Sequence, residues 1–92
     1  MIRSFACQDT RALFEGNRVP RFANILAAAE RKLTMLQVAT ELRDLRSPPG
    51  NRLEALSGNR AGQHSIRING QWRVCFVWTE DGPANVEIVD YH

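Results

Sequence analysis

The sequence predicts an α+β domain in which N-terminal helices pack on one face of a small antiparallel β-sheet. Three observations predict it. An amphipathic stretch with helical spacing fills the first half, alternating apolar and polar residues fill the second, and a Pro-Pro-Gly break divides them. The 92 residues leave room for one core, so residues 1–92 are read as a single domain. A hydrophobic content of 43% supports a packed globule rather than a disordered tail.

Ile2 to Ala6 reads as a short opening strand. Asp9 suits the N-cap of a short helix carrying Leu13 and Phe14, which Gly16-Asn17 ends. Pro20 fits the first turn of a longer helix. Along that helix Phe22, Ile25, Leu26, Ala29, Leu33 and Leu36 recur at i, i+3, i+4, i+7 spacing, with Arg21, Asn24, Arg31 and Lys32 on the solvated side. Gln37 to about Leu45 reads as a further helix with Ala39, Leu42 and Leu45 on one side, and Ser47-Pro48-Pro49-Gly50-Asn51 stops it.

Strand patterns follow. Arg52 to Leu56 suggests a strand, Ser57 to Gly62 a loop, and Gln63 to Asn69 an alternating strand with Ile66 and Ile68 on one face. Trp72, Val74, Phe76 and Trp78 then alternate against Arg73, Cys75, Val77 and Thr79. Glu80-Asp81-Gly82-Pro83 is a turn, and Ala84 to Tyr91 is a last strand built on Val86, Ile88 and Val89. Short loops between strands mean antiparallel neighbours.

The register of these strands points to a site. A two-residue turn at Asn69-Gly70 would mix apolar and charged faces. A three-residue loop, Asn69-Gly70-Gln71, pairs Ile68 with Trp72, Ile66 with Val74 and Arg67 with Arg73, and keeps each face consistent. Two arginines placed opposite each other repel unless an anion lies near them. In the next hairpin, pairing Phe76 with Ile88 sets Arg73 opposite Tyr91, and a slip of two sets it opposite Val89 with Tyr91 still adjacent. Either way one open face presents Arg67, Arg73 and Tyr91, with His92 at the strand's end.

Several function classes lack their signatures. No apolar run approaches the ~20 residues of a membrane span, and the first residues lack a signal peptide's apolar stretch, so a cytoplasmic protein is expected. Cys7 and Cys75 are too few and too far apart for a zinc site and read as free thiols. No metal or other cofactor is expected. Ser57-Gly58-Asn59-Arg60-Ala61-Gly62 has glycines but lacks the lysine and following helix of a phosphate loop. His64 reads as a packed or edge histidine, and no nucleophile triad is legible. Eleven of the twelve basic residues are arginines, whose planar fork suits phosphate.

Cleaving RNA without a metal needs a base for the ribose 2′-OH, a stabiliser for charge on the phosphorane, and an acid for the leaving 5′ oxygen. Arginine can fork two phosphate oxygens, histidine can move either proton near neutral pH, tyrosine or a carboxylate can assist, and an aromatic ring can stack a base. Arg73, Asp90, Tyr91 and His92 supply those types in one neighbourhood.

Pro48-Pro49-Gly50-Asn51-Arg52-Leu53-Glu54, Arg60 to Asn69, Gln71-Trp72-Arg73-Val74-Cys75-Phe76 and the ending Val86 to His92 together resemble the HigB-type toxins of the RelE superfamily. The resemblance implies a RelE-like fold and metal-independent cleavage of mRNA in the ribosomal 30S A site. It also implies a helix-turn-helix antitoxin, HigA, through which alone the toxin would meet operator DNA, and no membrane. It assigns transition-state stabilisation to Arg73, base positioning and proton transfer to Tyr91 and His92, and organisation of the strand end to Asp90. Arg67, Asn69 and Arg60 would contact RNA. Better-studied members have histidine where this chain has Glu54 and a second arginine where it has Asn69. Glu54 would then replace a proton-transfer group, and Arg67 the second phosphate clamp. The same scaffold also carries ParE-like toxins that poison gyrase, so a non-nucleolytic toxin and an inactive antitoxin-binding partner stay open as alternatives.

Overall fold

A computed structural model describes residues 1–91; His92 lies outside the described residues. Two α-helices, α1 (Gln8–Phe14) and α2 (Leu26–Val38), precede four strands, β1 (Glu54–Ala55), β2 (His64–Arg67), β3 (Trp72–Thr79) and β4 (Gly82–Asp90). The strands form one antiparallel sheet in the order β1-β2-β3-β4. Leu13, Phe22, Ile25, Ala29, Leu33, Leu36 and Leu45 from the helical half bury one face of that sheet, meeting Ile66, Val74, Phe76, Val86 and Ile88. Each large apolar side chain among them contributes about 1.5–3 kcal/mol by leaving water. The Phe22 ring meets Trp72 edge-on at 5.7 Å, a favoured aromatic geometry.

The helical half departs from its expected outline in three places. Helix α1 is capped by Cys7, so Asp9 sits inside its first turn rather than at the N-cap. Pro20–Ile25 is a 3-10 turn rather than α-helix. Each of its residues advances further around the axis than in an α-helix, so the periodicity slips and Leu26 is left 45% exposed. The expected helix from Gln37 to Leu45 does not form either. Helix α2 ends at Val38, Ala39 is extended, and a separate 3-10 turn spans Leu42–Arg46.

The cause is local. One Asp44 carboxylate oxygen accepts the backbone N–H of Thr40 and of Glu41 and the Thr40 hydroxyl, at 3.0, 3.0 and 3.1 Å, while Glu41 returns a bond to the Asp44 backbone. This capping box competes with helix continuation. The N–H donors of Glu41 and Thr40, then the Thr40 hydroxyl, hold the Asp44 carboxyl below its ordinary value of 3.8. A depressed carboxyl contributes stability above its unfolded pKa and loses it as pH falls through the folded one. Asp44→Asn is therefore expected to lower the melting temperature at neutral pH, with the gap to the parent closing as pH drops below 3.8. Paired melts across pH check this, and a gap that does not change with pH would contradict it.

At the far side of the sheet, the expected opening strand shrinks to a single parallel bridge, Phe5 with Val86. The segment still covers the β4 edge. Arg3 N–H donates to Pro83 O, Val86 N–H to Ser4 O and Ala6 N–H to Val86 O, and the buried Thr10 hydroxyl takes over by accepting Ile88 N–H at 3.0 Å. An exposed strand edge is thereby closed to pairing with other chains. Gly82 opens β4 with φ of 123°, and a Cβ there would strike the Met1 carbonyl oxygen.

The hairpin registers follow the face argument. Asn69-Gly70-Gln71 is the connection, Arg67 pairs with Arg73 and Ile66 with Val74. The Asn69 side-chain oxygen closes the loop by accepting the N–H groups of Gln71 and Trp72 at 2.8 and 2.9 Å. Between β3 and β4 the second of the two expected registers holds, with Arg73 opposite Val89. A bulge near Cys75 adds a residue to β4, where Asn85 takes a left-handed φ of 52°, which asparagine tolerates better than most residues.

The strand expected over Arg52 to Leu56 is reduced to Glu54–Ala55 because the chain before it is tied down. Asn51 is fully buried, its amide donating to Leu45 O at 3.1 Å and Ser47 O at 3.3 Å and its oxygen accepting Lys32 Nζ. Burial, then repulsion from Arg31, pushes the Lys32 pKa down. Immediately after Asn51, Arg52 turns left-handed with φ of 46°.

Candidate functional site

The sheet face away from the helices carries the odd-numbered residues of β2, β3 and the end of β4. Pairing of Glu54 with Ser65 adds Glu54 from the edge strand to this face. Arg73 lies at its centre. The Nε atom donates to Ser65 Oγ at 2.8 Å, and Nη2 donates to Arg52 O at 2.8 Å and lies 3.3 Å from a Glu54 carboxylate oxygen. The ring of Tyr91 stands 5.6 Å from the guanidinium carbon, within cation–π range. The Arg73 side chain is only 12% exposed, whereas that of Glu54 is 51% exposed. The guanidinium is thus held in one plane by fixed acceptors, and its carboxylate partner is the more exposed member.

Each fixed acceptor has a local cause. Ser65 is buried in the strand pair between Glu54 and Cys75, so its hydroxyl sits beneath the arginine. The Arg52 carbonyl is turned to Arg73 by its own left-handed backbone, which follows the buried Asn51 anchor. Strained non-glycine backbone of this kind persists where surrounding contacts over-determine it. Glu54 also supplies the anion that the facing pair Arg67 and Arg73 requires.

Other expected site residues lie at graded distances from this centre. Arg67 shares the face and donates from Nε to the Asn69 carbonyl at 3.1 Å. Asn69 sits at the hairpin tip, with its side-chain oxygen committed to the loop. Asp90 pairs across from Trp72, on the opposite side of the strand from Arg73, and accepts Gln71 Nε2 at 3.1 Å. Arg60 forms a second cluster further along, 3.1 Å from Gln63 and 3.4 Å from Glu87. Cys75 is fully buried on this face between its neighbours Ser65 and Glu87, and burial pushes its thiol pKa up, so it is no nucleophile.

Three contributors are missed by reading the sequence: the Ser65 hydroxyl, the Arg52 carbonyl and the Glu87 carboxylate. Alternation places Ser65 and Glu87 on the right face, so a signal for them exists. Nothing in the sequence marks a backbone carbonyl. Among the described residues, no cluster of three or more His, Cys, Asp or Glu side chains could hold a metal, and no helix is long and apolar enough to cross a membrane.

Helices covering one side of a four-stranded antiparallel sheet, with an arginine-centred face on the other, are an arrangement consistent with the RelE-like fold. The family model for RelE-like toxins of HigB type II toxin–antitoxin systems matches residues 4–92. Toxin HigB-1 of Vibrio cholerae serotype O1 is 47% identical over 70 residues, covering 76% of this chain and 73% of that protein. An uncharacterized protein of Haemophilus influenzae is 36% identical over 70 residues, covering 76% of this chain and 68% of its own length. The chain belongs to the HigB-like toxin family, and as a type II toxin it has an antitoxin as its partner.

Proposed function

We propose that this toxin is an endoribonuclease that cuts mRNA in the ribosomal A site, drawing its catalytic groups from the Arg73 face. The observation that carries the proposal is the pinned guanidinium: two fixed acceptors at 2.8 Å set its plane, and a half-exposed carboxylate lies beside it at 3.3 Å. In the reaction the ribose 2′ oxygen attacks the adjacent phosphorus, the bond to the 5′ oxygen breaks, and a 2′,3′-cyclic phosphate and a 5′-hydroxyl result. Arg73 stabilises the charge on the phosphorane, and a guanidinium oriented beforehand does so without reorganising during the reaction. Arg67 adds a second cation from the facing strand. Glu54 is the carboxylate placed to take the 2′ proton when an incoming phosphate replaces it at Arg73. Tyr91 offers a ring for a splayed base and a phenol for proton transfer. His92, outside the described residues, is assigned the remaining proton transfer by family resemblance, with Asp90 holding the strand end. Asn69 and Arg60 are assigned contacts with flanking RNA. The ribosome and a helix-turn-helix antitoxin complete the partners.

Primer extension on translated mRNA after induction without antitoxin tests this reading. Cuts within codons support it, whereas intact mRNA with accumulating DNA breaks would show a gyrase poison instead. Ser65→Ala probes the pinning. The Nε atom loses its acceptor while Arg52 and Glu54 still hold Nη2, so cleavage is expected to fall about fivefold to tenfold, corresponding to about one net hydrogen bond. The fall belongs in kcat, and an unchanged kcat in single-turnover cleavage would contradict the positioning role.

A further inference from the structure

A cleft of about 420 Å³ opens at the β1 edge of the sheet, where the 3-10 turn Leu42–Arg46 faces Leu53, Glu54 and His64. Glu54 belongs to both places: it lines the cleft and lies 3.3 Å from Arg73. The cleft therefore continues the open face around the sheet edge. Two arginines line it. Arg43 is paired with Glu41 in an exposed ion pair at 3.0 Å, which is weak and readily exchanged for another anion. Arg46 is exposed and, among the described residues, has no acidic partner. Between them and the sheet lie the apolar side chains of Leu42 and Leu53 and the imidazole of His64, which stacks on Phe76 at 6.3 Å with a 23° tilt.

We propose that this cleft is a nucleotide subsite, taking the base next to the scissile phosphate of single-stranded RNA against His64 and its phosphate at Arg43 and Arg46. This rests on the nuclease reading. Cationic residues meet a phosphate, a flat apolar-and-imidazole surface meets a base, and Glu54 joins the subsite to the reacting centre. Among the described residues the open face offers one aromatic ring, Tyr91; the cleft offers a second platform on the other side of Glu54, so the strand would be gripped on both sides of the bond that breaks.

The test is binding of a non-cleavable 2′-O-methyl hexanucleotide to the full-length toxin, followed by backbone NMR shifts and by affinity as a function of salt. The expected result is perturbation of Leu42 to Arg46 and His64 together with Arg67, Arg73 and Tyr91. Arg43→Gln with Arg46→Gln, both on the surface, should flatten the salt dependence by about 0.7 in log–log slope, the value for the one single-strand phosphate no longer neutralised. His64→Ala should weaken binding by about tenfold, within the range for one stacked base. Shifts confined to the Arg67 and Arg73 face with an unchanged salt slope would overturn the subsite and leave the nuclease reading standing. Cleft shifts produced by the antitoxin and not by RNA would likewise overturn it. An oligonucleotide that perturbs neither region, with translated mRNA left intact, would overturn both.

Discussion

Arg73→Ala is expected to lower mRNA cleavage by about 10²–10³-fold, the range for removing one preorganised charge-stabilising donor from a transition state. Growth arrest on overexpression should disappear with it. The fold should survive. Glu54 is half exposed and tolerates losing its partner, and the Ser65 hydroxyl oxygen loses a single donor. Antitoxin binding and the melting curve are the controls. Arg73→Lys sharpens the test, because an ammonium cannot satisfy Ser65, Arg52 and a phosphate in one plane. Lysine should therefore restore little activity. Full toxicity in the alanine variant would remove Arg73 from the centre of the site.

The largest expected effect on stability belongs to Asn51. Its amide satisfies the carbonyls of Leu45 and Ser47, and its oxygen receives Lys32. Asn51→Ala strands those groups at a fully buried position, at an expected cost of about 3 kcal/mol from buried groups left without partners. Denaturant melts check the magnitude. The effect should also reach the site, since the left-handed Arg52 whose carbonyl holds Arg73 is the next residue. A variant that folds but cleaves slowly would show that coupling; one with unchanged stability would contradict the anchoring role.

Much of this arrangement is legible in the sequence, for identifiable reasons. The facing of Arg67 and Arg73 follows from strict alternation on both strands, which a one-residue slip would destroy. The proximity of Tyr91 to Arg73 follows from the same logic, and the family resemblance of the Trp72-Arg73 strand and the chain's ending agrees with the family match. What stays hidden is set by side-chain-to-backbone bonds between distant or irregular segments. Asp44 breaks the second helix through a capping box that helical periodicity cannot reveal. Leu26 turns outward because a 3-10 turn shares the apolar spacing of a helix and differs in pitch. Adjacency to Tyr91 groups Asp90 with the site, but strand alternation places it on the Trp72 side. The Ser65 and Arg52 bonds depend on separate segments converging on β3, a tertiary fact with only a faint mark in the residues themselves.

The Arg73 face is proposed to drive attack by a ribose 2′ oxygen. A programmed ribosome complex carrying end-labelled mRNA, with one 2′-deoxy nucleotide at the mapped cut position, tests it most directly. This single substitution is expected to block cleavage at that position, while the all-ribose message yields a 2′,3′-cyclic phosphate end. Cleavage of the 2′-deoxy message at an undiminished rate would contradict it.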